Sequence, residues 1–526
     1  MNFIRRIVIP AILCVALTFT VFAAQQSEII EKWKELKPSF FDTNPYEQES
    51  SGGERWIAGK LKQEFINDGV NYLNFCRYVA GLPEFEYTDS YSDGLQKAAV
   101  LYNWAVYYGT QEIPLGMSED FYKSALYMYD NSLKTFGFDT LDMSVSGMIN
   151  SRGINQQDAH QRIQMLMPGS AEVSFGFHDG YTTVFIIPEE TEFEYDYISW
   201  PSNGDFPLEL IKDNLPWTVT LNTKHYSLPE AEDITVIFEN VKKDVDDIII
   251  TSENTYSYYG GASAFLNVNG NTLIFKPDQV DLKGWFEQDS DIRVKVFGIK
   301  TAEGEVTSLQ YVVKMFDMGE KILEEYADEN DVAINQRKSV SELTASKVFE
   351  GYPDKTFRPH NNITRAEFTA ALLRYVNIQP EVSEEASFTD VSEQHWARGY
   401  IDKAALIGAV NGTAPGVFSP DEFITVEQAM KIITVVKGYT ENVALEKSGG
   451  YPFAYFNLGY ELGLLENVDY DDMQRPLTRS DTACIFYNSS NITRYWVEYS
   501  GDSAILWYRD RKGNGYGTYS LVEFVG

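Results

Sequence analysis

Histidine, cysteine and positive charge are all scarce in this 526-residue chain. Of its three cysteines, Cys14 lies in an N-terminal apolar run, which leaves Cys76 and Cys484 far apart in sequence. That excludes a disulfide framework and a Cys-type metal site, so both are expected as buried apolar residues. Lys and Arg number 43 against 77 Asp and Glu, a formal charge of −34. With no basic stripe to offset that repulsion, nucleic acid is excluded as a partner. The five histidines are His160, His178, His225, His360 and His395. None belongs to a His-Glu-x-x-His helix, and no Gly-x-Ser-x-Gly elbow occurs. The acidic cluster from Asp328 to Asp331 lacks the glycine and terminal glutamate of an EF-hand loop. No cofactor or metal is called for.

Long apolar runs are also missing after the first residues. Arg5 and Arg6 precede the apolar stretch Ile7 to Phe22 and then small residues, the pattern of a secretory signal over 1–24, with cleavage expected after Ala23 or Ala24. No later stretch is long enough to span a bilayer, so the mature chain is expected to be exported without a membrane span. Its 44% hydrophobic and 14% aromatic residues suffice for several cores, and the length suggests about three to four domains.

The segment 25–53 is polar and reads as a lead-in, with a short helix from Ser27 to Leu36. Between 54 and 210 the spacing of Ile66, Val70, Leu73, Cys76 and Ala80 predicts a helix stopped by Gly81 and Pro83. Further helices are expected over Ser92–Tyr108 and Glu119–Leu133, and a short one ends at Pro168. Alternation in Ala171–Phe177 and Tyr181–Ile187 predicts a hairpin, with His178 exposed in its turn. From 211 to 318, six or more short alternating segments predict an all-β, Ig-like sandwich. An acidic linker (319–334) leads into a helical region (335–490), and a β-rich tail closes the chain (491–526).

Within the helical region, Gly351-Tyr-Pro-Asp-Lys-Thr-Phe-Arg-Pro359 runs into Ile363-Thr-Arg-Ala-Glu367. Asn362 or Thr364 can cap a helix, with Glu367 as the capping-box partner of Thr364, and Phe368, Ala371, Leu372 and Tyr375 recur at helical spacing. This run resembles the S-layer homology (SLH) repeat, departing chiefly at Lys355, where that family usually has glycine. Phe388-Thr-Asp390-Val391, Trp396-Ala397, Phe418-Ser-Pro420 and Ile424-Thr-Val426 mark a second copy. Arg475-Pro-Leu-Thr-Arg479 marks a third. The resemblance implies an all-α repeat bundle that binds secondary cell-wall polysaccharide, an acidic or pyruvylated glycan, through motif arginines. Arg365 and Arg479 occupy those positions, and their forked guanidinium groups suit carboxylates. Val426 stands there in the second copy and cannot donate, so its groove is expected to be silent. Trp396 is a further candidate, as a sugar platform.

The earlier segment carries Asn74-x-x-Arg77-x-x-x-Gly81-Leu82-Pro83, His160-Gln-Arg162-Ile, Val173-Ser-Phe-Gly176 and Ser199-Trp-Pro201. It resembles the CAP superfamily (SCP-like proteins), which implies an α/β three-layer sandwich. Metal-binding members use two histidines and two acids, a set missing here. His160 and Arg162 are the weak catalytic candidates. The chain thus reads as a secreted wall-surface protein displaying a CAP-like domain with a binding or structural role. The alternative is an envelope-associated hydrolase, protease or wall-degrading, acting through the CAP-like cleft.

Overall fold

A computed structural model describes residues 24–38, 44–53, 55–138, 140–150, 157–189, 192–211, 215–254, 264–277, 285, 290–345, 348–376, 378, 380–383, 386–439, 450–489, 494–500, 503–509 and 519–520. The signal segment expected at the start thus falls, but for Ala24, outside the described residues.

The first part contains α1 (Gln26–Leu36), β1 (Tyr46–Gln48), β2 (Lys60–Leu61), α2 (Gln63–Val79), β3 (Glu86–Tyr87), α3 (Ser92–Tyr108), α4 (Glu119–Asn131), β4 (Leu133–Phe136), α5 (Leu141–Ile149), α6 (His160–Met165), β5 (Ala171–His178) and β6 (Tyr181–Pro188). The expected hairpin is β5–β6, the centre of a sheet ordered β3-β5-β6-β4. On one face, α3 comes so close that a Cβ on Gly176 would stand 2.2 Å from the Leu95 carbonyl oxygen. Thr183 on the same face donates to that oxygen at 2.9 Å. On the other face the Phe65 ring of α2 packs 5.0 Å from Phe177, and Ser144 of α5 hydrogen-bonds Thr182. Helix, sheet and helix therefore form three layers.

The lead-in is part of this body. Ile29, Ile30 and Leu36 of α1 are buried, and Trp33 packs 4.8 Å from Phe75. Strand β1 carries residues 46–50 over the hairpin, so the expected exposure of His178 is wrong. It is 3% exposed, with Nδ1 2.7 Å from Ser50 Oγ. Burial also depresses its pKa below the usual value.

Two sheets follow, built from β7 (Tyr197–Trp200), β8 (Gly204–Pro207), β9 (Trp217–Leu221), β10 (Thr235–Asn240), β11 (Ile248–Thr251), β12 (Phe265–Asn269), β13 (Thr272–Lys276), β14 (Asp291–Lys300) and β15 (Val306–Phe316). Their orders are β11-β10-β14-β15-β8 and β12-β13-β9-β7. Trp217 and Phe275 from one sheet close on Phe238 of the other, with ring centroids 4.9 and 5.8 Å apart. Strand pairing runs across residue 210: β7 pairs with β9, and β8 lies parallel to β15. Ser199-Trp200-Pro201, read with the preceding segment, thus supplies strand to these sheets. A continuous apolar core extends from Ile29 through both sheets to Ile322.

The last part is mainly helical: α7 (Met318–Leu323), α8 (Arg337–Ala345), α9 (Arg365–Tyr375), α10 (Arg398–Leu406), α11 (Val426–Val436), α12 (Phe453–Glu461) and α13 (Arg479–Ser489) share a second core. Cys76 and Cys484 are both buried and free. At the end β16 (Arg494–Ser500), β17 (Ser503–Arg509) and β18 (Tyr519–Ser520) pair antiparallel in that order. The chain is multidomain, with mixed helices and sheets. No helix among the described residues is long and apolar enough to cross a membrane.

Candidate functional site

Three helices of the last part begin alike. Thr364, Thr425 and Thr478 cap α9, α11 and α13, and each hydroxyl accepts the amide three residues on, at Glu367, Gln428 and Asp481. Those three side chains in turn accept from the threonine amides, so every start is a reciprocal box. The residue before each threonine closes a ring of backbone bonds. Ile363 N–H donates to Leu477 O (3.0 Å), Leu477 N–H to Ile424 O (2.9 Å), and Ile424 N–H to Ile363 O (3.1 Å). All three side chains are buried. The helix starts are thereby clamped around one axis, which fixes where their first residues point.

In α9 and α13 that first residue is arginine. Arg365 is 4% exposed; its Nε donates to Phe418 O at 2.9 Å and its Nη1 to Gln428 Oε1 at 2.8 Å. Its guanidinium carbon lies 4.7 Å from the Phe418 ring centroid. Arg479 repeats the arrangement against the first loop, donating to Phe357 O (3.0 Å) and Glu350 O (2.9 Å). The rings of Phe357, Tyr352 and Phe349 stand 4.9, 5.1 and 5.3 Å from it. Burial pulls both guanidinium pKa values below the ordinary one. Among the described residues neither has a carboxylate within ion-pairing distance, although acids outnumber bases across the chain. Lys431 is half-buried, with its pKa lowered by desolvation and by Arg365. Tyr451, 5.8 Å below the Lys431 amine and bonded to Glu427, completes that patch. A desolvated cation on an aromatic ring, beside a second cation, is suited to receiving an anion. In α11 the equivalent residue is the buried Val426, whose side chain has no donor.

Each loop that meets one of these arginines is held by a carboxylate, Asp328 from the expected linker and Asp390 from the second copy. Asp328 accepts the amides of Phe357 and Arg358, both at 2.7 Å, while Asp390 accepts those of Phe418 and Ser419 at 2.8 and 2.7 Å. Tyr326 and Asp328 therefore open the first repeat, nine and seven residues before its expected start at 335. Gln428, Lys431, Tyr451 and Tyr352 were also missed. Two of them had a signal: Gln428 occupies the capping-box position, and Tyr352 lies in the Gly351–Pro359 motif.

The remaining candidates do not converge. Trp396 is 57% exposed and stacks on His395, with no ring contact to Arg365 or Arg479 among the described residues. His160 is exposed at the start of α6, whereas Arg162 is 1% exposed and donates to Ile149 O and Pro216 O. The structure thus does not bring His160 and Arg162 into one polar site. Arg77 is likewise structural, holding the carbonyls of Pro83, Met165, Met167 and Gly169 while stacking on Phe85.

The S-layer homology domain model matches residues 326–369 and 387–430, which takes in Asp328, Arg365 and Asp390. Similar stretches occur in cell surface glycoprotein 1 of Acetivibrio thermocellus, 32% identical over 99 residues, or 17% of this chain and 4% of that protein. A cellulosome-anchoring protein of the same organism is 29% identical over 99 residues, 18% of this chain and 22% of its own length. The surface layer protein of Brevibacillus choshinensis is 26% identical over 141 residues, 26% and 12% respectively. The chain spans less than a quarter of each relative.

Proposed function

We propose that this chain is a cell-surface protein held non-covalently by its helical repeats to secondary cell-wall polysaccharide. It is secreted and sits at the cell wall or S-layer surface, as its matched segments and surface-protein relatives indicate. The ligand is an acidic or pyruvylated glycan, whose carboxylate pairs with the forks of Arg365 and Arg479. One observation carries this reading: two arginines sit desolvated on aromatic rings, with no carboxylate in ion-pairing distance among the described residues, in a chain of formal charge −34. The segment from 450 to 489 acts as a third repeat, supported by its part in the ring of backbone bonds. The middle site is silent because of Val426.

The first unit is a CAP-like domain with a binding or structural role, and the paired sheets are an Ig-like spacer. The three helix–sheet–helix layers and the Trp217–Phe238 contact support that layout. A pelleting assay with purified walls, before and after extraction of the polysaccharide, tests the anchor. Binding is expected to disappear with the polysaccharide; equal binding to both preparations contradicts the reading.

A further inference from the structure

The segment that follows β1 lays a serine on the imidazole it helps to bury. Ser50 Oγ is 2.7 Å from His178 Nδ1, and across the ring Nε2 is 3.5 Å from Asp179 Oδ2. That carboxylate favours the tautomer with hydrogen on Nε2, which leaves the Nδ1 lone pair facing the serine hydroxyl. Burial disfavours the charged ring, so the lone pair is available near neutral pH. Tyr46 hydrogen-bonds Ser50 too. Its contact to Phe177 O is long at 3.4 Å, so its hydroxyl can donate to Ser50 Oγ and leave the serine proton for Nδ1.

Ser50 is only half-buried, and Glu49, Gly52, Gly53 and Arg55 around it are exposed. The amides of Gly52 and Gly53 meet no acceptor among the described residues, and such donors suit a developing oxyanion. A Cβ on Gly52 would stand 3.8 Å from His178 Nε2 and 3.5 Å from the Trp56 ring. The loop thus joins the polar cluster to an aromatic wall. Trp56 meets Trp104 edge-on at 5.7 Å, and Trp104 stacks at 4.1 Å on Tyr108, which is 68% exposed. Such rings take a partner that is apolar on one face and hydroxylated at its rim, as a sugar is.

We propose that Ser50 and His178 are a nucleophile and its base, and that they hydrolyse O-acyl esters of saccharides whose sugar lies along the Trp56–Trp104–Tyr108 wall. Ser50 Oγ bonds to the ester carbonyl carbon while its proton passes to Nδ1, and Asp179 positions the imidazolium that forms. The bond from that carbon to the sugar oxygen then breaks, and the proton departs on the sugar. Water attacks the acyl-serine and gives a proton to Nδ1; the carboxylic acid leaves as Ser50 Oγ recovers that proton. One water is consumed for each ester. An amide is the poorer substrate, because its nitrogen must be protonated as it leaves. This activity is independent of the wall-anchoring reading.

Labelling of the full chain with a fluorophosphonate, followed by peptide mass spectrometry, is expected to place the adduct on Ser50. The labelling rate should fall only below pH 6.5, and Asp179→Asn should move that fall to lower pH, because the carboxylate raises the imidazole pKa. Acetate release from glucose pentaacetate should drop about a hundredfold in Ser50→Ala and persist in Ser51→Ala. Tyr108→Ala should raise KM for that ester about fivefold. Labelling that spares Ser50, or wild-type acetate release in Ser50→Ala, overturns the proposal. Labelling of Ser50 without acetate release refutes the hydrolysis, and an equal KM in Tyr108→Ala refutes the sugar. Because labelling is read on the native chain, the result stands even where a variant unfolds.

Discussion

Asp328 and Asp390 do the same work in successive repeats: each carboxylate accepts two consecutive amides of the loop that meets an arginine. Replacing Asp328 with alanine strands the amides of Phe357 and Arg358 and loosens the wall against which Arg479 lies. A loss of about 1–3 kcal/mol is expected, with a similar loss for Asp390→Ala. Thermal unfolding followed by circular dichroism measures it. A change within error for both variants contradicts the assignment.

Arg162 ties α6 to the end of α5 and to the strand region through Ile149 O and Pro216 O. Burial lowers its pKa to about 9, and among the described residues its donors meet backbone carbonyls. Arg162→Met leaves those carbonyls unpaired and is expected to cost about 2–4 kcal/mol in urea unfolding. Wall pelleting should not change. Unchanged stability with altered pelleting contradicts the structural role.

Two buried groups give opposite pH slopes. Burial, with Asp317 nearby, pushes the Glu209 carboxyl up to about 8, and Gly319 N–H donates to it at 2.7 Å. Because the folded value lies above the unfolded one of 4.5, its contribution is complete below 4.5 and lost as pH rises through 8. His178 is shifted downward, so its contribution is complete above 6.5 and lost as pH falls below that value. Glu209→Gln is expected to raise Tm above pH 8 relative to the native chain, with little difference below 4.5. Equal Tm differences at both ends contradict the assignment.

Features carried by local period or local capping were legible in the sequence. The ends of α3 and the β5–β6 hairpin follow from apolar spacing and turn residues, and the Thr364–Glu367 box from a four-residue pattern. Arg365 and Arg479 were found because a long motif surrounds them. What escaped depends on partners remote in sequence. Asp328 reads as one of several acids until its loop folds back, and β8 pairs with a strand more than a hundred residues later. His178 looks like a turn residue because Ser50 and Tyr46, which cover it, come from a polar segment without period. Lys431 and Tyr451 likewise gain meaning only beside Arg365.

The most direct test compares pelleting of the full chain and its Arg365→Ala, Arg479→Ala and double variants with purified walls, each variant first matched to the native chain by thermal unfolding. Each single change is expected to weaken binding about tenfold, the worth of one charge-assisted contact, and the double change to abolish it. Lysine at either position should restore it only in part, because an ammonium lacks the fork. A folded double variant that pellets like the native chain would contradict the role given to both arginines.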